Sequence, residues 1–206
     1  MLNNKGFDLW ADNYDKSVEI SDNEGSYPFA GYDNIIHEIY KDILNNFYDN
    51  ILDIGFGTGN LISKLYESGC KIYGQDFSKK MIVISKEKMP DAKLYYGDFS
   101  KGLVEPLLEN KYNAIIATYS LHHLTDKNKI ILLKNLQKQL AKGGCIYIGD
   151  IMFLTRNEHN KCMIKTKDDW DKDEIYIVIN ELKSYFPEMK FKKVSECSGI
   201  ITIKNK

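Results

Sequence analysis

The sequence contains almost no arginine. Arg156 is the only arginine among 28 basic residues, so a single side chain can grip a phosphate or a carboxylate with two parallel hydrogen bonds. The formal net charge is −1, and the lysines are spread along the chain. Nucleic-acid-binding domains usually concentrate basic charge on one face. The composition therefore argues against a nucleic-acid substrate.

Paired cysteines and long apolar runs are also missing. The four cysteines, Cys70, Cys145, Cys162 and Cys197, form neither a CxxC motif nor a Cys/His spacing typical of metal ligands. The first residues lack the apolar core of a signal peptide, and no apolar run reaches the length of a membrane-spanning helix. We therefore expect reduced thiols, no metal ion, no membrane contact and a cytoplasmic location.

Three glycines at alternate positions mark the stretch around which the chain is organised. The apolar run from Ile51 to Ile54 suits a buried strand, Gly55, Gly57 and Gly59 follow it, and a helical pattern begins after Asn60. Glycine allows positive φ and close backbone approach, and a helix N-terminus offers unpaired N–H groups. The stretch favours a ligand-binding turn, although such a turn can also be purely structural.

Strand and helix patterns alternate through the middle of the chain. Ser78 and Thr125 are placed to cap helices, the second of which is expected to stop at Gly143-Gly144. Short alternating connections predict a parallel sheet with helices on both faces. A hairpin closes the chain. The expected strands after the first cover 71–75, 93–96, 112–118, 145–151, 189–195 and 200–203.

We expect a single domain over residues 1–206, because 206 residues suffice for one sizeable core. Two helices precede the first strand, separated by a polar loop at 18–27, and segment 174–186 is predicted to be extended and then helical from about Val178. The expected parts are an N-terminal helical lid (1–47), a core (48–151), an insertion with little periodicity (152–173), and a closing helix and hairpin (174–206).

The ends of the predicted strands collect polar residues. Ligands of open parallel sheets bind outside these ends. Asp76 lies about 20 residues beyond the glycine turn, where an acid accepts hydrogen bonds from ribose hydroxyls. The Gly-x-Gly-x-Gly spacing is tighter than the dinucleotide fingerprint, which disfavours a pyrophosphate. Asp98 can accept from an adenine amine while Phe99, Phe77 or Met81 packs on the ring.

These motifs resemble those of class I S-adenosylmethionine-dependent methyltransferases. The resemblance rests on Ile51 to Asn60, Asp76, Gly97-Asp98-Phe99 and Ile115 to Leu124. The opening Phe7 to Asp15 and the segment Tyr119 to Asp126 more specifically resemble the YrrT-like methyltransferases of Firmicutes. The resemblance covers most of residues 7–151. It implies a three-layer, doubly wound, Rossmann-like fold. Its sheet would have seven mostly parallel strands, the last antiparallel.

The resemblance also implies roles for individual residues. It assigns Asp53 and the glycine loop to the methionine moiety, Asp76 to the ribose, Asp98 and Phe99 to the adenine, and Tyr14 to a cover over the methionine end. Phe56 departs from the family pattern, where a small residue is more usual. The cofactor site expected for S-adenosylmethionine comprises Tyr14, Asp53, Gly55, Phe56, Gly57, Thr58, Gly59, Asp76, Phe77, Met81, Asp98, Phe99 and Tyr119.

Methyl transfer from a sulfonium requires in-line alignment of a nucleophile and exclusion of water, so a general base is optional. The candidate catalytic residues are Tyr14, His122 and Asp150, with His123 as a further candidate base. Arg156 could meet a substrate carboxylate, although a surface role is the simpler expectation. Tyr27, Tyr32 and His37 lie in segments placed to form a lid and are expected mainly to pack or to face solvent.

Methyl transfer to a small molecule is the leading functional hypothesis. A non-catalytic S-adenosylmethionine-binding regulator is the alternative, because the sequence offers no unambiguous base. A nicotinamide-dependent oxidoreductase is opposed by the glycine spacing. No segment carries a motif that identifies the methyl acceptor.

Overall fold

The computed structural model describes residues 14–205, with the side chains of all of them except residues 14–17, 19 and 168. The sheet has the strand order β3-β2-β1-β4-β5-β8-β7, and the short β6 pairs with β5 outside this path. The strands are β1 (Asn50–Ile54), β2 (Lys71–Asp76), β3 (Lys93–Tyr96), β4 (Tyr112–Thr118), β5 (Leu140–Phe153), β6 (Ile177–Val178), β7 (Lys190–Lys193) and β8 (Ser198–Lys204).

Strands β1 to β5 pair in parallel, whereas β8 runs antiparallel to both β5 and β7. The strand order reverses between β1 and β4, which pair through Ile51 with Ala114 and Asp53 with Ile116. The predicted, mostly parallel, Rossmann-like sheet with an antiparallel last strand is thereby confirmed, with two-residue β6 as an addition. A reversal of this kind opens a crevice at the carboxyl ends of the strands.

Helices cover both faces of the sheet. They are α1 (Tyr14–Asn23), α2 (Tyr32–Asn45), α3 (Asn60–Glu67), α4 (Lys79–Lys88), α5 (Glu105–Leu108), α6 (Asp126–Gln139), α7 (Arg156–Thr166) and α8 (Ile179–Leu182). Successive residues of β1 face opposite sides: Ile51 packs in the apolar cluster that contains α2 and α3, and Leu52 in the one that contains α6. Both are fully buried, and such burial contributes about 1.5–3 kcal/mol per side chain.

Two expected irregular segments contain helices. The predicted loop at 18–27 is wrong at its start, because α1 continues to Asn23. Its Val18 is buried and its Asp22 carboxylate accepts hydrogen bonds from the backbone N–H groups of Gly31, Tyr32 and Asp33, at 2.8, 3.0 and 2.8 Å. This long-range cap at the start of α2 leaves no periodic signal in the sequence.

The segment at 152–173, expected to be irregular, contains α7. Thr155 caps this helix by accepting a hydrogen bond from the Glu158 N–H (3.2 Å), and none of the side chains between Arg156 and Thr166 is fully buried, so no apolar stripe marks it. The expected helix stop at Gly143-Gly144 is also wrong. Helix α6 ends at Gln139 and the glycines lie within β5, where the Gly144 carbonyl accepts from the Asn205 N–H (2.8 Å).

The end of the chain follows the prediction closely. β6 is extended at Ile177–Val178 and α8 begins at Ile179, as expected for segment 174–186, and β7 and β8 form the closing hairpin. Among the helices between residues 14 and 205, none combines the length and the apolar character needed to span a bilayer.

Candidate active site

A cavity of about 270 Å³ opens at the carboxyl ends of β1, β2, β4 and β5, where the strand order reverses. Its walls come from the ends of these strands, from the turn after β1, from residues 27–32 and from residues 169–174. Its lining residues are Tyr27, Pro28, Phe29, Tyr32, Asp53, Gly55, Phe56, Gly57, Thr58, Asn60, Leu61, Asp76, Phe77, Met81, Phe99, Thr118, Tyr119, Ser120, His122, His123, Ile151, Asp169, Asp171 and Glu174.

The glycine turn follows β1 as expected. Gly55 and Gly57 have positive φ, at 70° and 54°. A Cβ at Gly55 would lie 2.6 Å from the Ser120 Cβ, whereas one at Gly57 would meet no atom within 4 Å. Gly57 thus leaves the backbone open to a ligand. Gly59 does not line the cavity. A Cβ at this position would lie 2.9 Å from the Ser85 Oγ, so glycine here allows the turn to pack closely against α4.

Phe56, the departure from the expected family pattern, is accommodated by a second glycine. Its side chain is buried, and a Cβ at Gly74 in β2 would lie only 2.6 Å from the Phe56 ring. The absence of a side chain at Gly74 therefore makes room for an aromatic residue in the turn.

Two buried carboxylates stand on the β1 and β2 side of the cavity. The Asp53 side chain is 2% exposed, and its Oδ1 has no hydrogen-bond partner among the described residues. Burial, reinforced by the neighbouring Asp76, raises the pKa of Asp53 to about 8. Asp76 accepts hydrogen bonds from the Gly57 N–H (3.0 Å) and the Ser78 N–H (2.8 Å). An unpartnered carboxylate oxygen beside a second carboxylate suits a cationic ligand.

The other expected cofactor residues divide into two groups. Thr58, Phe77, Met81, Phe99 and Tyr119 line the cavity. Asp98 does not line it: its side chain is 43% exposed, accepts from the Ser100 N–H (2.9 Å) and pairs with Lys101 Nζ (3.2 Å). The Tyr14 side chain lies outside the described part of the chain.

The structure brings two of the three candidate catalytic residues together on the β4 and β5 side. His122 lines the cavity, and its Nδ1 lies 2.6 Å from Oδ1 of the fully buried Asp150. Asp150 itself stands behind His122 and also accepts from the Leu121 N–H (3.1 Å). Burial alone would lower the pKa of His122, and the Asp150 carboxylate raises it by more, so the net shift is upward.

Glu174 completes this side of the cavity and was not predicted from the sequence. Its Oε1 lies 3.4 Å from His122 Nε2 and 3.9 Å from His123 Nδ1, and its Oε2 accepts from the Tyr176 hydroxyl (2.7 Å). Burial raises the pKa of Glu174. Glu174 belongs to no recognisable motif. The available sequence signal is its position as an acidic residue directly after the polar segment 152–173.

Tyr27 and Tyr32 lie in the segments placed to form a lid and were expected mainly to pack or to face solvent. They line the cavity together with Phe29. His37 is exposed and does not line it. Arg156 also lies outside the lining: its Nε and Nη2 donate to the two carboxylate oxygens of Glu181, at 3.0 and 2.7 Å. Its partner is thus a surface carboxylate of this chain.

A family model for a methyltransferase domain matches residues 51–144. An uncharacterized methyltransferase of Bacillus cytotoxicus is 36% identical over 162 residues, which cover 78% of this chain and 73% of the relative. Another from Bacillus cereus is 35% identical over 163 residues, with 79% and 73% covered.

Solved structures share the fold at lower identity. A DhpI structure with SAH has a TM-score of 0.70 at 15% identity, over 97% of this chain and 93% of that one. A S-adenosylmethionine-dependent methyltransferase from Clostridium acetobutylicum has a TM-score of 0.65 at 14% identity, over 93% and 99%. The solved structures show that the chain has the fold of S-adenosylmethionine-dependent methyltransferases, and the Bacillus relatives show that it belongs to a methyltransferase family.

Proposed function

We propose that the protein transfers a methyl group from S-adenosylmethionine to a small-molecule acceptor. The observation that carries the proposal is the cavity itself, which has buried acids and an open glycine turn on one side and a histidine held by a buried acid on the other. A concave cavity lined by aromatic and polar side chains suits a small molecule. Among the described residues the lining contains no lysine or arginine that would attract a polyanion.

The donor fits the β1 and β2 side of the cavity. S-adenosylmethionine carries a sulfonium and an ammonium group, and the unpartnered Asp53 Oδ1 is suited to a positive charge. We assign the ammonium to Asp53, the ribose hydroxyls to Asp76, and the adenine to Phe77, Met81 and Phe99. The expected contact of Asp98 with the adenine amine remains part of the proposal, since Asp98 lies just before Phe99.

When bound, the donor supplies a methyl group on a cationic sulfur that departs as a neutral thioether. The chain's own residues then align the acceptor and exclude water. Tyr27, Phe29 and Tyr32 form an aromatic wall for this purpose. We propose that His122, which faces the cavity, removes a proton from the acceptor. Its contact with Asp150 fixes the orientation of the imidazole ring. Tyr14 stays a proposed cover over the methionine end on the resemblance alone.

We further propose that residues 1–47 act as a lid and that residues 152–173 shape the acceptor pocket. The support is that Tyr27, Phe29 and Tyr32 from the first segment and Asp169 and Asp171 from the second line the same cavity. A cytoplasmic location is proposed as well, because the four cysteines are all unpaired thiols.

Turnover of the donor tests the proposal. The protein is incubated with S-adenosylmethionine and a panel of hydroxyl, thiol, amine and carboxylate metabolites, and the demethylated product, S-adenosylhomocysteine (SAH), is quantified by mass spectrometry. We expect SAH formation with at least one acceptor and SAH binding by calorimetry. Binding without turnover on a complete metabolite extract would instead support the regulatory alternative, and absence of any binding would contradict both. Family membership already disfavours the nicotinamide alternative.

A further inference from the structure

Three side chains on the β4 and β5 side of the cavity converge in the manner of a metal site. The ligand atoms of His122, His123 and Glu174 all lie within 4.8 Å of one another. All three residues line the cavity, so an ion held between them would face the space where an acceptor binds. The two histidines are consecutive in the turn after β4, and Glu174 comes from the segment before β6.

The spacing of the three residues suits a small divalent ion. Nitrogen and oxygen ligands bind zinc at about 2.0–2.2 Å, which places the ligand atoms of a tetrahedral site about 3.4 Å apart. His122 Nε2 and Glu174 Oε1 are already 3.4 Å apart, and His123 Nδ1 lies 3.9 Å from the same oxygen. All three ligand atoms lie within 4.8 Å of one another, so side-chain movements of about an ångström bring them to zinc-binding distance.

The contact behind His122 has the geometry of a metal-binding histidine. His122 Nδ1 lies 2.6 Å from the Asp150 Oδ1. The other ring nitrogen, Nε2, therefore faces the Glu174 carboxylate at 3.4 Å. Carboxylate, histidine and metal in this order are a recurrent arrangement in zinc sites.

The outer contacts hold the cluster in place. The Tyr176 hydroxyl donates to Glu174 Oε2 and leaves Oε1 for the cluster. The Ile175 N–H donates to the His122 carbonyl (2.9 Å), which ties the segment with Glu174 to the histidine turn.

We propose that His122 Nε2, His123 Nδ1 and the Glu174 carboxylate bind one divalent transition-metal ion, with zinc as the best fit. Three protein ligands leave a coordination position toward the cavity, as in catalytic zinc sites. In the methyl transfer proposed above, on which this role rests, an acceptor hydroxyl or thiol that coordinates the ion loses its proton to water more readily. With the ion bound, His122 acts as a ligand, and the ion replaces the role of His122 as the base proposed above. The new bond forms to the methyl carbon as its bond to sulfur breaks, and the electron pair stays on sulfur.

Metal titration of the whole chain tests the site without knowledge of the acceptor. Tag-free protein is treated with chelator, dialysed, and titrated with ZnCl₂ by calorimetry, and Co²⁺ is added separately to record a visible spectrum. We expect one ion per chain and a Co²⁺ spectrum with the intense bands of low coordination number. Glu174→Gln and His123→Ala should each weaken binding by at least tenfold, and Asp150→Asn by about tenfold to a hundredfold through the second shell.

Glu181→Gln is the matched control, because it makes the same change at a surface glutamate outside the cavity lining and the cluster. It should bind zinc like the wild type. No stoichiometric zinc binding by the wild type, or equal affinity in Glu174→Gln and Glu181→Gln, would overturn the proposal. SAH affinity is measured on the same samples. Intact SAH binding without zinc binding refutes the metal site alone, whereas zinc binding without SAH binding refutes the donor site.

Discussion

The two sides of the cavity differ in how the chain builds them. The donor side, Asp53, the turn at 55–59 and Asp76, comes from one strand, its following turn and the end of the next strand. The acceptor side, His122, His123 and Glu174, joins residues about 50 positions apart in the sequence. Local turns hold the first, and long-range contacts hold the second. A side made of local geometry can be recognised from sequence. On the acceptor side the sequence predicted His122 and His123 as candidates, but not the tertiary contact that brings Glu174 to them.

The two sides also differ in the state of their carboxylates. On the donor side the Asp53 Oδ1 has no partner among the described residues, and a ligand must supply one. On the acceptor side Asp150 and Glu174 both contact His122. We therefore expect binding at the donor side to depend on the charge of the ligand. We expect the structure of the acceptor side to depend on the contacts among its own residues.

Asp76→Ala should have the largest effect and should break the donor side alone. Its carboxylate anchors the Gly57 and Ser78 amides as well as the proposed ribose contact, and hydrogen bonds to charged groups contribute about 1.5–3 kcal/mol each. We expect SAH affinity measured by calorimetry to fall at least hundredfold, with zinc affinity unchanged. Asp98→Ala, at a half-exposed carboxylate outside the lining, is the matched comparison and should cost less than about tenfold. Equal losses in the two variants would contradict the assignment of the ribose to Asp76.

Lys129→Met should weaken the acceptor side. Lys129 is 2% exposed, and its Nζ donates to the carbonyls of Leu124 (2.8 Å) and Ile175 (2.5 Å), next to Glu174. Methionine fills the space but leaves both carbonyls without this donor. We expect a loss of about 2 kcal/mol in the free energy of unfolding, or about 4–8 °C in Tm, and weaker zinc binding.

The control for this change is Lys138→Met, at an exposed position of the same helix, which should leave Tm nearly unchanged. SAH affinity at 25 °C should stay within about threefold of the wild type in both variants, because neither position contacts the donor side. A comparable drop in SAH affinity for Lys129→Met would show that the two sides are one cooperative unit.

The affinity for SAH should depend on pH, because the proposed ammonium contact requires an ionised Asp53 on the donor side. The pKa of Asp53 is about 8 in the ligand-free protein, and a cationic donor favours its ionised form, so binding releases a proton. We expect SAH affinity to rise as pH increases from 6 to 8, by up to about tenfold per pH unit. Asp53→Asn should flatten this profile while binding weakly throughout. A flat wild-type profile would place the ammonium elsewhere.

The same carboxyl group affects the stability of the ligand-free protein in the opposite direction. Because its pKa in the folded protein exceeds the ordinary value of 3.8, the unfolded chain binds fewer protons between about pH 4 and 8. The free energy of unfolding therefore falls as pH rises through this range. Asp53→Asn should remove part of this fall, measured by urea denaturation at pH 5 and pH 8. Burial of Asp53 therefore lowers the stability of the ligand-free protein near neutral pH and at the same time provides a carboxylate for the ligand.

Arg156→Ala should have the smallest effect. Its partner is Glu181, both side chains are about half exposed, and such surface pairs contribute about 0–1 kcal/mol. SAH and zinc affinities should equal those of the wild type. A loss of turnover with an acidic acceptor would revive the hypothesis that Arg156 meets a substrate carboxylate.

The sequence predicted the sheet because each strand carries its own signal. β1 to β3 are short runs that end at a glycine or an acidic residue, and β4 has the apolar centre Ala114 to Ala117. Ser78 and Thr125 cap α4 and α6 as expected. Helix α1 was partly missed because Asp22 caps α2 across a turn, and α7 because it buries none of its side chains. Glu174 was missed because long-range contacts of Ile175 and Tyr176 hold it against the histidines, and such contacts leave no pattern in the sequence.

The tie between α1 and α2 has a kinetic consequence. The Asp22 carboxylate accepts from the amides of residues 31–33, and the Phe29 N–H donates to the Ser21 hydroxyl (3.0 Å). These contacts tie α1 to the start of α2 and to the loop between them, which carries Tyr27 and Phe29. A loop tied in this way opens as one body. We therefore expect entry of the acceptor and escape of the methylated product to share a single gating rate.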